Sequence, residues 1–206
     1  MDSPSPRFFG IVPLALLAAA VATVCDGFHV YTQTLSYPHP VWFGQDWFVF
    51  PVFFFAFVTM ASAYLFLDAR LPKSIARTFG TSAGDIQSMV ESLVSFALVY
   101  LLSAFGNREP MILALLFYAS AILRLAVAPD RAFISILALL LGVAGIVAEG
   151  TMTVFDLVHY RQPEIYGVPV WLGALYMHGA FALRDGMRWF VYGGGGAESH
   201  QRHPSR

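Results

Sequence analysis

Six stretches of this chain are each long and apolar enough to cross a bilayer, and together they use nearly all of its 206 residues. They run approximately 8–25, 47–67, 86–105, 111–128, 132–155 and 168–191. A helix needs about 20 mostly apolar residues to span the hydrocarbon core. In lipid every backbone N–H and C=O must find its partner within the chain, so runs of this length fold as helices. The expected fold class is all-α: a polytopic membrane protein built as a six-transmembrane-helix bundle with short loops. The spans leave room for one membrane domain, 1–192, and a disordered polar tail, 193–206. The glycines from Gly193 to Gly196 follow no strand, so they read as a linker and not a phosphate loop.

Composition removes several function classes. Apolar residues make up 57% of the chain and charged ones 12%, against roughly 25% charged in a soluble domain. That much apolar surface cannot be hidden inside a sphere of this size. The net charge of −1 comes with no basic block, which excludes a nucleic-acid partner. A single cysteine, Cys25, leaves no internal disulfide and no thiolate zinc site. The first span is expected to stay in place: its run exceeds a usual signal-peptide core, and Val24 stands before Cys25 where a lipoprotein signal has a small residue. Ten Lys/Arg fall on one side of the bundle and only Arg108 and Arg161 on the other. Positive charge stays inside, so both termini are expected in the cytoplasm.

Shifting the chain by 123 residues lays the first hairpin on the last without a gap. Asp26-Gly27 falls on Glu149-Gly150, Tyr37 on Tyr160, Pro40 on Pro163, and Phe43-Gly44 on Tyr166-Gly167. Four crossings separate the copies, so they form a parallel duplication of the first and last helical hairpins. The shared pattern predicts an extracytoplasmic turn, with the acidic residue near the upper end of its helix. Glu149 accordingly reads as a structural corner in preference to a catalytic carboxylate. Small residues at Ala15, Ala19, Gly142 and Gly145 would let the first and fifth helices pack closely.

A carboxylate at bilayer depth must face protein or water. On the third helix Ser88, Glu91, Ser92 and Ser95 recur at helical spacing and share one face. Serines serve helix packing, but a carboxylate does not, which favours a cavity wall that meets a lipid's polar head. His29, His159, Asp26, Asp46 and Asp156 gather towards one side, where a metal-dependent lipid hydrolase would hold its ligands. Without an HExxH motif that chemistry is the lesser reading, and no catalytic or metal residues are assigned. His178, mid-span, is expected to bond to a neighbour.

Several strings resemble the insulin-induced-gene (Insig) family, in its bacterial, mycobacterial-type form. They are Asp46-Trp47-Phe48-Val49-Phe50-Pro51, Pro129-Asp130-Arg131, and Pro163-Glu164-Ile165-Tyr166 followed by Trp171-Leu172, Gly179-Ala180 and Arg188. Eleven of the twelve basic residues are Arg, a bias common in GC-rich bacterial genomes. The resemblance covers roughly residues 46–190. It implies six helices, lipid or sterol binding, and a membrane-protein partner met through the acidic residue of the Asp-Arg turn, Asp130. The alternative for Asp130 is simply to start the fifth helix. It also implies a pocket phenylalanine at Phe96, whereas Leu113 replaces a glutamine that a sterol hydroxyl would use.

The expected function is a non-enzymatic lipid sensor with no cofactor beyond a bound amphiphilic lipid, diacylglycerol-like or sterol-like. Its cavity is expected between helices one, three, four and five, with Glu91, Ser92, Ser95, Phe96, Leu113 and Phe117 as contacts. A homo-oligomer is expected, in the plasma membrane if bacterial and in the endoplasmic reticulum membrane if eukaryotic. The alternative is a small transporter or channel in which Glu91, Glu149 and His178 relay protons.

Overall fold

The structure, a computed structural model, describes residues 6–76 and 83–193. Six long helices form the bundle: α1 (Ile11–Tyr31), α2 (Val49–Arg70), α4 (Ile86–Gly106), α5 (Pro110–Val127), α6 (Arg131–Val154) and α7 (Leu172–Gly186). A 3-10 turn at Phe8–Gly10 leads into α1, a single turn α3 (Lys73–Ala76) follows α2, and α7 continues as a π-helical turn over Met187–Val191. Five of these helices have the length and apolarity of membrane spans. The sixth, α7, is shorter and carries Arg184 and Asp185 in its last turn. It is buried along most of its length by α6, α4 and α5, so it needs no lipid-facing apolar surface. Arg77 and the tail beyond Gly193 lie outside the described residues.

The first helix runs to Tyr31, six residues past the expected end at Cys25. Asp26 stops nothing, because its side chain finds donors from the turn that follows. The first and fifth spans are not close partners: α1 packs on α2 and α4, and α6 packs on α7. Gly142 and Gly145 are small for the sake of α7, since a Cβ there would meet Gly173 O at 3.1 Å and the Tyr176 ring at 2.2 Å.

The duplication is written into the backbone. Each hairpin turn holds the same three left-handed residues: Gln33, Phe43 and Gly44 in the first, Asp156, Tyr166 and Gly167 in the second. Their φ values are 59°, 51° and 75° against 61°, 50° and 80°. The hydrogen bonds match as well, Gln45 N–H to Trp42 O beside Val168 N–H to Ile165 O. Two short strands, β1 (Leu35–Ser36) and β2 (His159–Tyr160), tie the turns together antiparallel. Ser36 pairs with His159, its own equivalent in the other copy. An approximate two-fold axis therefore passes through that pair, along the membrane normal for copies of one orientation.

Two apolar cores lie along this axis. One surrounds Trp171, Phe117 and Tyr100 near the strand pair. The other surrounds Tyr64, Phe133 and Met187 at the opposite end, where Arg7 N–H bonds Val191 O and the termini meet. Asp85 caps α4 there: its Oδ1 accepts from Ser88 N–H at 2.8 Å. That bond, and one from the Ser88 hydroxyl, hold the Asp85 carboxyl below the usual carboxylate range.

Candidate functional site

At the strand end each copy places a carboxylate under a tyrosine. Asp26 Oδ2 accepts from Tyr37 Oη at 2.8 Å and from Gln45 Nε2 at 2.7 Å. In the second copy Glu149 accepts from Tyr160 Oη and, at 2.6 Å, from Tyr176 Oη. Burial and the neighbouring carboxylates hold Tyr37 and Tyr160 well above the ordinary phenol range, so both remain O–H donors. The acidic residues thus act as the corners foreseen from sequence. Glu149 has a second role, because it also borders a cavity enclosed between the two copies.

That cavity lies on the two-fold axis, between the copies. Phe53 and Met60 on α2 face it from one side, and their equivalents Tyr176 and Leu183 on α7 from the other. Between them Ala56 and Gly179, also equivalent, leave space. Leu14, Ala18 and Ala22 of α1 and Leu93, Phe96 and Tyr100 of α4 complete the walls. Gly145 lets the Tyr176 ring lie against α6, which aims its hydroxyl at Glu149. The result is an apolar slot with one carboxylate–phenol group near the strand end. Its volume is about 70 Å³, less than the 150 Å³ of a cavity that admits benzene. A guest the width of one hydrocarbon chain suits it, and a wider one must part the two hairpins.

Of the contacts expected from sequence, Phe96 lines the slot. Glu91 does not: it is exposed on the outer side of α4 and accepts from Gln87 Nε2 at 2.7 Å. Ser92 turns to α7 and donates to Asp185. Ser95, half-buried, is not among the lining residues. Leu113 and Phe117 are buried in the strand-end core, Phe117 edge-on to His178 at 6.1 Å. The fourth span therefore supplies no wall, and α2 and α7 replace it. The sequence did carry the missed signal. The shift of 123 that pairs the turns also pairs positions 53 with 176, 56 with 179 and 60 with 183.

Asp130 occupies the N-cap position of α6, but its side chain caps nothing. It is buried and accepts from Arg184 Nη1 at 3.0 Å. Arg184 also grips Asp185, and Arg188 lies 3.5 Å from the same carboxylate. Asp130 is thus an internal ion-pair partner, with no face open to a second protein in this conformation. His178 meets the expectation of a bonded histidine: Nε2 lies 3.1 Å from Ser120 Oγ and from Phe117 O, and Arg124 Nη1 donates to Nδ1 at 3.0 Å.

The suggested metal ligands do not converge. His29 Nε2 is bonded to Ser103 Oγ at 2.8 Å, Asp46 holds Trp47 N–H, and His159 pairs with Asp156 on the surface. Among the described residues no three His, Cys, Asp or Glu side chains form a group that could hold a metal. Among the described residues Glu91, Glu149 and His178 have separate partners: Gln87, the Tyr160 and Tyr176 hydroxyls, and Ser120 with Arg124.

Residues 89–192 match the family described as protein of unknown function, DUF2878. Over the whole chain the fold is that of a mycobacterial Insig homologue, MvINS from Mycobacterium vanbaalenii: TM-score 0.72 at 19% identity, covering 98% of this chain and 99% of that one. A cross-linked trimer of an arginine-to-cysteine variant of MvINS matches with a TM-score of 0.71 at 20% identity, over 89% and 93% of the two chains. No curated protein matches.

Proposed function

For a chain that belongs to the DUF2878 family and has the fold of a bacterial Insig homologue in an integral membrane protein, we propose the role of a non-enzymatic lipid-binding protein. The observation that carries this reading is the slot on the two-fold axis. A bundle closed only for packing would fill that place. Instead Ala56, Gly179, Ala18 and Ala22 leave it open beside the Glu149–Tyr176 pair. The guest of this reading is an amphiphile of diacylglycerol-like chemistry, with one chain between α2 and α7 and a hydroxyl against Glu149, or a sterol-like one admitted when the hairpins part. Burial from lipid contributes little energy by itself, so selectivity rests on shape and that one hydrogen-bonding group.

The Lys/Arg count supports a cytoplasmic position for both termini, and a trimer is the assembly to expect by analogy with MvINS. In a sensing role, a guest that parts the hairpins would loosen the Asp130–Arg184 pair beneath them and free Asp130 for a partner. The experiment is lipid extraction from detergent-purified protein with mass spectrometry. One lipid class should be enriched about tenfold over the host membrane, a difference of about 1.4 kcal/mol. Ala56→Trp, which fills the slot, should abolish the enrichment. A bulk lipid profile that Ala56→Trp leaves unchanged overturns the reading.

A transporter is the second reading, favoured by the parallel duplication and a cavity at the repeat interface. It requires flux in proteoliposomes that depends on Glu149; a lipid sensor gives none.

A further inference from the structure

The two copies of the turn part company at one aromatic ring. Tyr166 and Phe43 hold equivalent positions on the same left-handed backbone, at φ 50° and 51°. Tyr166 lays its ring over Gly150, where an added Cβ would come within 2.0 Å of Cδ1. Its hydroxyl reaches Thr151 Oγ1 at 3.5 Å. Phe43 instead stands away from the protein, 92% exposed. Gly27, the equivalent of Gly150, would present its Cβ to nothing nearer than the Gln45 side chain at 3.9 Å. The open conformation gives Gly27 no steric reason to lack a side chain. A ring or chain lying on it would.

The place left empty is a crevice of about 460 Å³ along α1, lined by Thr23, Val24, Gly27, Phe28, Tyr31 and Gln45 with Phe43 at its rim. That volume lies in the range of small-molecule sites. Its mouth is bordered by exposed Val24 and Tyr31, on a helix with the character of a membrane span. Exposed Tyr31, Trp42 and Trp47 surround this end, as aromatics do where hydrocarbon meets headgroups. Bilayer lipid is therefore what faces the mouth. Thr23 Oγ1 is buried without a hydrogen-bond partner among the described residues. Ile146 stands in the equivalent place.

We propose that this crevice is a second lipid site, separate from the slot, which takes one acyl chain of a bilayer lipid, and that Phe43 closes it by turning inward to the position Tyr166 holds in the other copy. The second copy sets the thickness of the guest: one flat apolar group against a glycine backbone. It also supplies an internal control at the same depth, because the axis relating the copies runs along the membrane normal.

The test is photolabelling in liposomes of a phosphatidylcholine whose chains carry a diazirine, with labelled residues mapped by mass spectrometry. Val24, Phe28 and Tyr31 should be labelled about tenfold above Val147, Thr151 and Val154, which lie beside a filled crevice. Gly27→Phe should bring the first set down to the level of the second. Phe43→Ala should raise it, and Tyr166→Ala should raise Val147. Equal labelling of the two copies, or labelling that Gly27→Phe leaves unchanged in folded protein, overturns the proposal. Should Gly27→Phe fail to fold, absence of any rise in both Phe43→Ala and Tyr166→Ala overturns it equally. Labelling at Phe96 and Tyr176 reports the slot separately, so the two sites succeed or fail independently.

Discussion

The α1–α2 and α6–α7 hairpins share a turn to within a few degrees, yet they live in different surroundings. In the second hairpin α7 is the buried centre of the bundle, and its charges pair internally. In the first, α2 keeps only a few buried side chains, and Ala61, Ser62 and Leu65 stand where Arg184, Asp185 and Arg188 do in α7 and its π-helical continuation. Turn geometry thus belongs to the fold. Side chains on the same scaffold are free to specialise according to what covers them. One copy became the rigid interior, and the other kept the open crevice.

That contrast can be broken most forcefully at the buried charges. Arg184→Ala leaves Asp130 and Asp185 without their main cation and should cost about 3–5 kcal/mol of stability. Ser62→Ala, at the position equivalent to Asp185, should stay within about 0.5 kcal/mol. Thermal unfolding in detergent reads both, and similar losses would remove the distinction.

The corner carboxylates come next. Glu149→Ala leaves the Tyr160 and Tyr176 hydroxyls unpaired and should cost about 2–4 kcal/mol, and Asp26→Ala, which strands the Tyr37 hydroxyl while Gln45 Nε2 keeps Thr23 O, about 1–3 kcal/mol. Only Glu149 borders the slot, so only Glu149→Ala should also change the lipids that copurify. A changed profile with Asp26→Ala would mean that the two corners do not differ in function.

The glycines sharpen the comparison further. Gly150→Ala forces Tyr166 off its place and should cost about 1–3 kcal/mol. Gly27→Ala meets only ordinary contact with the Gln45 side chain and should be neutral or stabilising by up to about 1 kcal/mol through helix propensity. The smallest effect lies outside both copies, at the Asp85 cap. The folded carboxyl sits below its unfolded value, so the cap stabilises above the unfolded value and is lost as pH falls through the folded one. Asp85→Ala should lower the unfolding temperature slightly at neutral pH and match the wild type in strong acid.

Much of this was legible in the chain, and one misreading was avoidable. The first span is expected to end at Cys25, before Asp26, whereas the fifth is carried past the equivalent Glu149 to residue 155. Applying the shift of 123 consistently puts the end of α1 at residue 32, beside the observed Tyr31. Glu91 failed for a different reason. Helical spacing correctly put it on a face with Ser88, but spacing does not say whether that face meets a neighbour or the outside. The same holds for Asp130, which is adjacent to Arg131 in sequence and depends in space on Arg184, 54 residues away.

By itself the sequence determined the number of long helices, their helical state and the register of the duplication. Those follow from local rules: backbone bonds must close within each segment in lipid, and a repeated turn repeats its glycines and aromatics. Only the tertiary structure decided which faces meet, that Glu149 and Tyr176 border the slot while Glu91 points away, and that Phe43 and Tyr166 part company. In a bilayer a neighbouring helix and the surrounding lipid are equally apolar. Hydrophobicity therefore cannot tell an inward face from an outward one, and packing has to settle it.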